Sequence, residues 1–214
     1  MEKRTHQNER NMKKIALMMM TLLCLSAAGA QTKQEMKAAR KEANEAARQL
    51  KKEGYKPLEL GKMEKRLESY FLKVNSGCTQ IIGTADKCMT TNLAQVTALT
   101  NAANTYALLA GGFVRGRIIS STSNISEQQL DNILSNFERL VAKEIRGELI
   151  PCITVVRNQK GLVKARVYCI VDQDTAARLR QRALQAALEE QALAEQYGSQ
   201  VSKWINEGFE SNDE

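Results

Sequence analysis

The stretch from Leu149 to Asp172 constrains the fold most, because it predicts a β-hairpin. Two β-rich runs, 149–157 and 162–172, are joined by Asn158-Gln-Lys-Gly161. Asparagine first and glycine fourth favour a type I turn followed by a left-handed glycine bulge. Apolar and polar residues alternate along the second run, so one face of this strand is expected to be buried.

The turn chemistry also predicts the register of the hairpin. A three-residue loop places Cys152 opposite Tyr168, whereas a two-residue loop would place Cys152 directly across from Cys169. The Asn-x-x-Gly pattern favours the three-residue loop. We therefore expect Ile153 and Val155 to face inward beside the apolar residues of the second strand, and Cys169 to lie in the core without a bond to Cys152.

The sequence predicts four amphipathic helices before the hairpin and one after it. Apolar residues recur every three or four positions in 32–53, 63–74, from 92, 130–145 and from 174 to 205. Gly54 is a C-cap candidate, and Ser126 with Gln129 forms a capping box. The helix from Asn92 is alanine-rich, and we expect an inward face of Val96, Leu99, Ala102, Ala103, Tyr106, Leu109, Ala110 and Phe113.

These elements predict an α+β fold in which a small antiparallel sheet, centred on the hairpin 149–157/162–172, is packed by long amphipathic helices. The short strand Thr79–Ala85 is expected to complete the sheet. The predicted organisation is an N-terminal extension with a signal peptide over 1–30, a charged helix over 31–57 and one α+β domain over 58–210.

The leader predicts export. A basic head at Lys13-Lys14 precedes an apolar run and the small residues Ala28-Gly29-Ala30, which places cleavage between Ala30 and Gln31. The uncharged stretch of 16 residues is shorter than the roughly 20 that span a bilayer. The polar residues ahead of Met12 favour Met12 as the true start. Cys24 follows two leucines rather than a small residue, so we expect no lipid anchor there.

Composition excludes several function classes. Cleavage leaves 184 residues, enough for one domain, and lowers the net charge from +7 to about +4, too little to indicate nucleic acid. The single histidine, His6, precedes the leader. Without histidine, the mature chain has no Ser-His-Asp or Cys-His mechanism and no His-ligated metal site. We predict no catalytic, cofactor-binding or metal residues.

Four cysteines remain in the mature chain: Cys78, Cys88, Cys152 and Cys169. An even number in an oxidising compartment favours two disulfides, in one of three connectivities. The alternative is buried or free thiols. A 78–88 bond would require a chain reversal across the strand between them, so any disulfide should link the ends of that strand to the hairpin.

Three further patterns have plain structural explanations. Gly111-Gly-Phe-Val-Arg-Gly-Arg117 imitates a phosphate loop but lacks its Lys-Ser/Thr ending, and close helix packing is expected instead. Asp172 and Asp174 could pair as carboxylates, yet they lie where a strand ends and a helix begins, which favours capping. The basic residues of 37–52 alternate with glutamates, which favours a solvated helix face over lipid binding.

The order of helix, helix and hairpin, with Ile150-Pro-Cys-Ile-Thr-Val155 and Gly161-Leu-Val-Lys-Ala-Arg-Val167, resembles the small-lipoprotein family of Gram-negative envelopes. The same fold recurs at the front of the flagellar assembly protein T. Lys51-Lys-Glu-Gly-Tyr-Lys-Pro57 and Leu67-Glu-Ser-Tyr70 are similar to uncharacterised secreted proteins of gut-type bacteria. The resemblance implies an envelope or secreted binding role and transfers no catalytic residue.

These observations favour an exported envelope or secreted protein, periplasmic, outer-membrane-associated or extracellular, with a non-enzymatic binding or structural role. Its expected partner is an envelope macromolecule or wall component, with no cofactor and no nucleic acid. The alternative is a histidine-free hydrolase that uses carboxylates or a Ser-Lys pair. A deep pocket with converging ionisable groups would favour the enzyme, and an exposed apolar patch would favour binding.

Overall fold

A computed structural model describes residues 33–122 and 124–206. The predicted signal peptide and its cleavage site between Ala30 and Gln31 lie outside the described residues. Within them, helices surround a four-stranded antiparallel sheet, which confirms the predicted α+β class. From Ala38 onward the chain packs as one unit.

The described elements follow one another along the chain as α1 (Lys33–Lys52), β1 (Lys56–Pro57), α2 (Met63–Asn75), β2 (Thr79–Cys88), α3 (Thr91–Ser121), α4 (Glu127–Glu148), β3 (Ile150–Gln159), β4 (Leu162–Val171), α5 (Gln173–Glu190), α6 (Ala194–Tyr197), a 3-10 turn (Gly198–Gln200) and α7 (Val201–Asn206).

The strands lie in the order β1-β3-β4-β2, and every neighbouring pair is antiparallel. The hairpin β3–β4 therefore occupies the centre of the sheet, as expected. The strand that contains Ile81 pairs with β4 and completes the sheet. It runs beyond the predicted end at Ala85 to Cys88, across a bulge in which Lys87 has φ 58°.

The predicted hairpin register is wrong by one residue. Gln159 pairs with Leu162 across a two-residue loop, in which Lys160 and Gly161 have φ 53° and 78°. Two consecutive positive φ values define a type I′ turn, whose twist matches that of the paired strands. A bulge between Pro151 and Ile153 then removes Cys152 from the ladder, so Pro151 lies opposite Cys169.

The two faces of the central hairpin pack into two different cores. The alternation in β4 therefore separates one core from the other, and not core from solvent. Cys169 lies in the larger core, between the sheet and helices α3, α4, α5 and α7. Ile153 and Val155 lie instead in a second core with Tyr168, under α1 and α2. The expectation that Ile153 and Val155 would share a face with the alternating apolar residues of β4 was therefore wrong, because the register shift turned them to the opposite face.

Helix ends follow the local chemistry at most positions. Gly54 has φ 81°, and the N–H of Tyr55 donates to the carbonyl of Leu50, which closes α1 with a glycine cap. The capping box of Ser126 and Gln129 opens α4 as predicted. Asp172 rather than Asp174 caps α5, since its side chain accepts a hydrogen bond from the N–H of Thr175.

The C-terminal helix is shorter than predicted. The periodic pattern suggested one helix to Ile205, but α5 ends at Glu190 and Ala192 takes a positive φ of 55°. The chain then forms α6, the 3-10 turn and α7, which bury Tyr197, Trp204 and Ile205 in the larger core. The break lets these side chains pack where a straight helix would carry them past the core.

Helix α3 lies directly over β2. A Cβ atom on Gly83 would come within 1.9 Å of the Ala98 carbonyl oxygen and 2.7 Å of the Ala102 nitrogen. Ala94, Ala98 and Ala102 are fully buried, because only small side chains fit between helix and strand. None of the described helices is long and apolar enough to cross a bilayer.

Candidate binding surface

Helix α3 carries no charged residue in the 24 positions from Thr91 to Val114. A surface helix ordinarily has one apolar and one charged face. Here the buried face is mostly alanine, including Ala98 and Ala110, and larger apolar residues lie on the outside. Sequence periodicity could not tell the two sides apart, because both carry large apolar residues and neither carries a charge before Arg115.

The structure therefore corrects the predicted inward face of α3. Val96 and Leu109, which we expected in the core, are 63% and 58% exposed. Leu99 and Phe113 are half-buried, whereas the alanines and Tyr106 are buried as predicted. The exposed apolar residues of α3 form what we term the α3 outer face: Leu93, Val96, Leu108, Leu109 and Ile119.

Two exposed glycines interrupt the α3 outer face. Gly112 and Gly116 have no atom within 4 Å of the position that a Cβ would occupy. Each glycine in a helix interior costs roughly 0.5–1 kcal/mol relative to alanine, and nothing within the described fold requires it at these two positions. Exposed glycines allow another chain to approach the helix backbone closely.

Gly111 behaves differently from these neighbours. A Cβ there would lie 2.1 Å from Oε1 of Glu138, which reaches across from α4. The close helix packing predicted for the glycine-rich run is confirmed at this residue, and is wrong for Gly112 and Gly116. Burial against the helix raises the pKa of Glu138 above its ordinary value, and Arg115 opposes that shift.

Four clefts lined by described residues are open to solvent. One of about 610 Å³ is lined by Asn44, Arg48, Lys51, Lys52 and Glu64. Lys51 forms an ion pair with Glu64 and thereby lowers the pKa of that carboxyl. A lowered pKa keeps Glu64 ionised, which is the opposite of what a general acid requires.

One cleft contains both a serine and lysines, as a Ser-Lys catalytic pair would require. This cleft of about 430 Å³ is lined by three α2 residues, Lys65, Ser69 and Lys73, and also by Cys152 of β3. Among the contacts of the described residues, no hydrogen bond joins the Ser69 hydroxyl to either lysine. Nor does any group of three His, Cys, Asp or Glu side chains in residues 33–122 and 124–206 form a cluster able to hold a metal.

The four predicted disulfide cysteines are free thiols in this structure. Cys88 and Cys169 both lie in the larger core, but Cys88 pairs with Val163, which is six positions from Cys169 along β4. Cys78 and Cys152 are half-buried beside the second core. Burial raises the pKa of Cys152, Lys73 opposes this shift, and the nearby thiol of Cys78 adds to it.

Charged residues elsewhere have structural roles. Arg40, Lys41, Arg48 and Lys52 are exposed along α1, as expected for a solvated face. At the end of that helix, the Glu53 carboxylate pairs with Arg166 at 2.8 Å.

The same end of α1 is held to the hairpin by an aromatic contact. The guanidinium groups of Arg157 and Arg166 lie 5.4 and 4.9 Å from the ring centre of Tyr55. These cation–π contacts join the loop after α1 to the central hairpin.

The α3 outer face is the surface that the sequence analysis missed. The available signal was the absence of charge over Thr91–Val114, which is unusual for a helix that must show one side to water. No protein-family model, no curated protein and no solved structure matches the chain. The resemblance to envelope lipoproteins therefore stays a prediction.

Proposed function

We propose that this chain is an exported envelope or secreted protein with a non-enzymatic role, and that it binds a protein partner through the α3 outer face. The observation that carries the proposal is that large apolar residues are exposed on α3, in a stretch with no charge from Thr91 to Val114, while the opposite side of the helix is packed. Scattered apolar residues are normal on protein surfaces, but four exposed ones, Leu93, Val96, Leu108 and Leu109, within a charge-free stretch of 24 residues favour an interaction site.

The chemistry of the surface favours protein over glycan. Binding sites for wall sugars ordinarily combine hydrogen-bonding side chains with exposed aromatic platforms. The exposed side of α3 has polar side chains such as Asn104 and Thr105, but its large exposed residues are aliphatic. The single tryptophan, Trp204, is buried and donates to the Ser121 hydroxyl at 2.7 Å. The envelope partner expected from the sequence is thus narrowed here to a protein with an apolar contact surface.

Capture from the native envelope tests this function. We expect the double variant Leu108→Glu/Leu109→Glu to lose a partner that the wild-type chain retains, because two carboxylates would have to be desolvated at the contact. Leu60→Glu is the matched control, since Leu60 is 94% exposed and lies outside α3. Equal capture by all three proteins would contradict the proposal.

Export has its own test. The leader lies outside the described residues, so the proposal that the protein is exported rests on the sequence alone. The intact mass of the exported protein should begin at Gln31 and carry no lipid. A diacylglycerol adduct on Cys24 would contradict this and make the chain a lipoprotein.

A further inference from the structure

Strand β2 is an edge of the sheet, and most of its outer backbone groups have no hydrogen-bond partner among residues 33–122 and 124–206. The side-chain amide of Asn101 donates to the Thr84 carbonyl at 2.8 Å, so this carbonyl points away from β4. In an antiparallel ladder every second residue directs its N–H and C=O to the same side. The backbone groups of Gln80 and Ile82 therefore point to the outer edge as well.

On the opposite side of the sheet, outer backbone groups of β3 are hydrogen-bonded within the chain. β1 pairs with β3, and beyond it the N–H of Leu58 donates to the Thr154 carbonyl at 2.9 Å. The carboxylate of Glu59 accepts from the Thr154 N–H at 2.8 Å. Among the described residues, the chain thus caps one edge of its sheet with its own groups and covers a single carbonyl, that of Thr84, on the other.

The open part of β2 also lacks the features that keep edge strands apart. Soluble proteins protect an edge with charged residues, proline or a bulge. In β2 these are confined to the end, where Asp86 and Lys87 accompany the bulge. From Thr79 to Ala85 the strand has no charge and no proline.

We propose that the β2 edge pairs antiparallel with β2 of a second copy of this chain, with Ile82 opposite Ile82. This inference rests on the proposed function, because it identifies the protein partner as a second copy of the chain. In this register Gln80 lies opposite Thr84, so polar residues meet polar ones and no like charges face each other. Ile82, which is 42% exposed in one copy, would be covered by its equivalent.

One side of the α3 outer face, that of Leu108, adjoins this edge. Asn101 marks the edge side of α3, and Leu108 and Gly112 follow it by two and three helical turns, so they lie on the same side. A two-fold axis perpendicular to the sheet would bring the two α3 helices side by side. Exposed Gly112 then allows the close helix approach that the single chain does not use.

The available area fits a dimer of modest affinity. The open strand is about 23 Å long and α3 about 46 Å, so a contact strip about 9 Å wide along both would cover roughly 600 Å² per copy. A total of roughly 1,200 Å² lies at the small end of specific interfaces. We therefore expect dissociation constants on the order of micromolar, and a dimer fraction that depends on concentration.

Sedimentation of the purified exported protein, without its leader, over a concentration series tests the proposal. Ile82→Pro removes the outward N–H and no bond to β4, so it should weaken the dimer at least about tenfold while the circular dichroism stays unchanged. Ile82→Lys and Ile82→Glu should each be monomeric, and their mixture should dimerise through opposite charges. Ile150→Lys, at an isoleucine of similar exposure outside β2, should dimerise like wild type.

The outcomes separate this inference from the proposed function. A chain that stays monomeric up to about 1 mM, or a dimer unaffected by the Ile82 variants, would overturn the inference. Envelope capture that still depends on Leu108 and Leu109 but yields a different protein would overturn it too, and would leave the binding function standing. Capture of a second, differently tagged copy supports both.

Discussion

Gly83 lies directly beneath Ala98, where a Cβ atom would come within 1.9 Å of the alanine carbonyl oxygen. This contact sets the distance between β2 and α3. It leaves one side of α3 against the sheet and turns its opposite side to solvent. The packing of the core and the exposure of the α3 outer face are thus consequences of the same close approach.

Gly83→Ala should displace α3 from the sheet. Because the obstructing atoms belong to helix backbone and cannot rotate away, we expect a loss of about 1–3 kcal/mol in the free energy of unfolding. Urea denaturation measures it. Gly112→Ala is the matched control on the exposed side and should gain about 0.5–1 kcal/mol. Similar effects of the two substitutions would contradict the packing described for α3.

The type I′ turn makes a second prediction. Gly161 has φ 78°, so Gly161→Val should cost about 1 kcal/mol or more through backbone strain. Lys160→Asn should instead stabilise the hairpin by a few tenths of a kcal/mol, because asparagine tolerates φ near 53° better than lysine. A three-residue loop, as the sequence pattern favoured, would leave Lys160→Asn without benefit. Thermal unfolding of both variants decides between the turns.

Thiol chemistry should divide the four cysteines into two pairs. Burial raises the pKa of Cys169 to about 12, so this thiol should resist alkylation until the protein unfolds. Cys88 is also buried, whereas Cys78 and Cys152 are half-buried and should react first. Mass spectrometry after timed labelling gives the order.

Disulfide mapping extends this test to the oxidised protein. Any native crosslink should join Cys78 to Cys152, which are the neighbouring pair at one end of the sheet. A 78–88 crosslink would contradict the structure, because the continuous strand β2 separates these residues by about 30 Å. A 152–169 crosslink would contradict the bulge that places the two side chains on opposite faces.

The Glu138 carboxyl predicts a pH dependence. Its folded pKa is raised by burial above the ordinary 4.5, so the folded state binds this proton more tightly than the unfolded state. Its contribution to stability is therefore present at low pH and is lost as the pH rises through the folded pKa. Glu138→Gln should gain stability relative to wild type between about pH 3.5 and about pH 7. A constant difference across that range would contradict the raised pKa.

The elements that could be predicted from the sequence are those with a clear local pattern, such as a helix with one apolar and one polar side. The stripe of α4, with Ile133 and Phe137, and the hairpin both follow local patterns. The register failed because Lys160 takes a positive φ that its residue type does not indicate. The prediction that Val96 and Leu109 are buried failed because α3 carries large apolar residues on both sides, and long-range contacts such as that with Gly83 select which side is buried.

Site-specific photocrosslinking in living cells tests the central claim most directly, namely that the α3 outer face is a protein-binding surface. A photoreactive amino acid at position 108, on that face, should give a crosslinked species of one defined mass. The same amino acid at position 60, where Leu60 is 94% exposed, should give none. Equal crosslinking at both positions, or none at position 108, would contradict the claim.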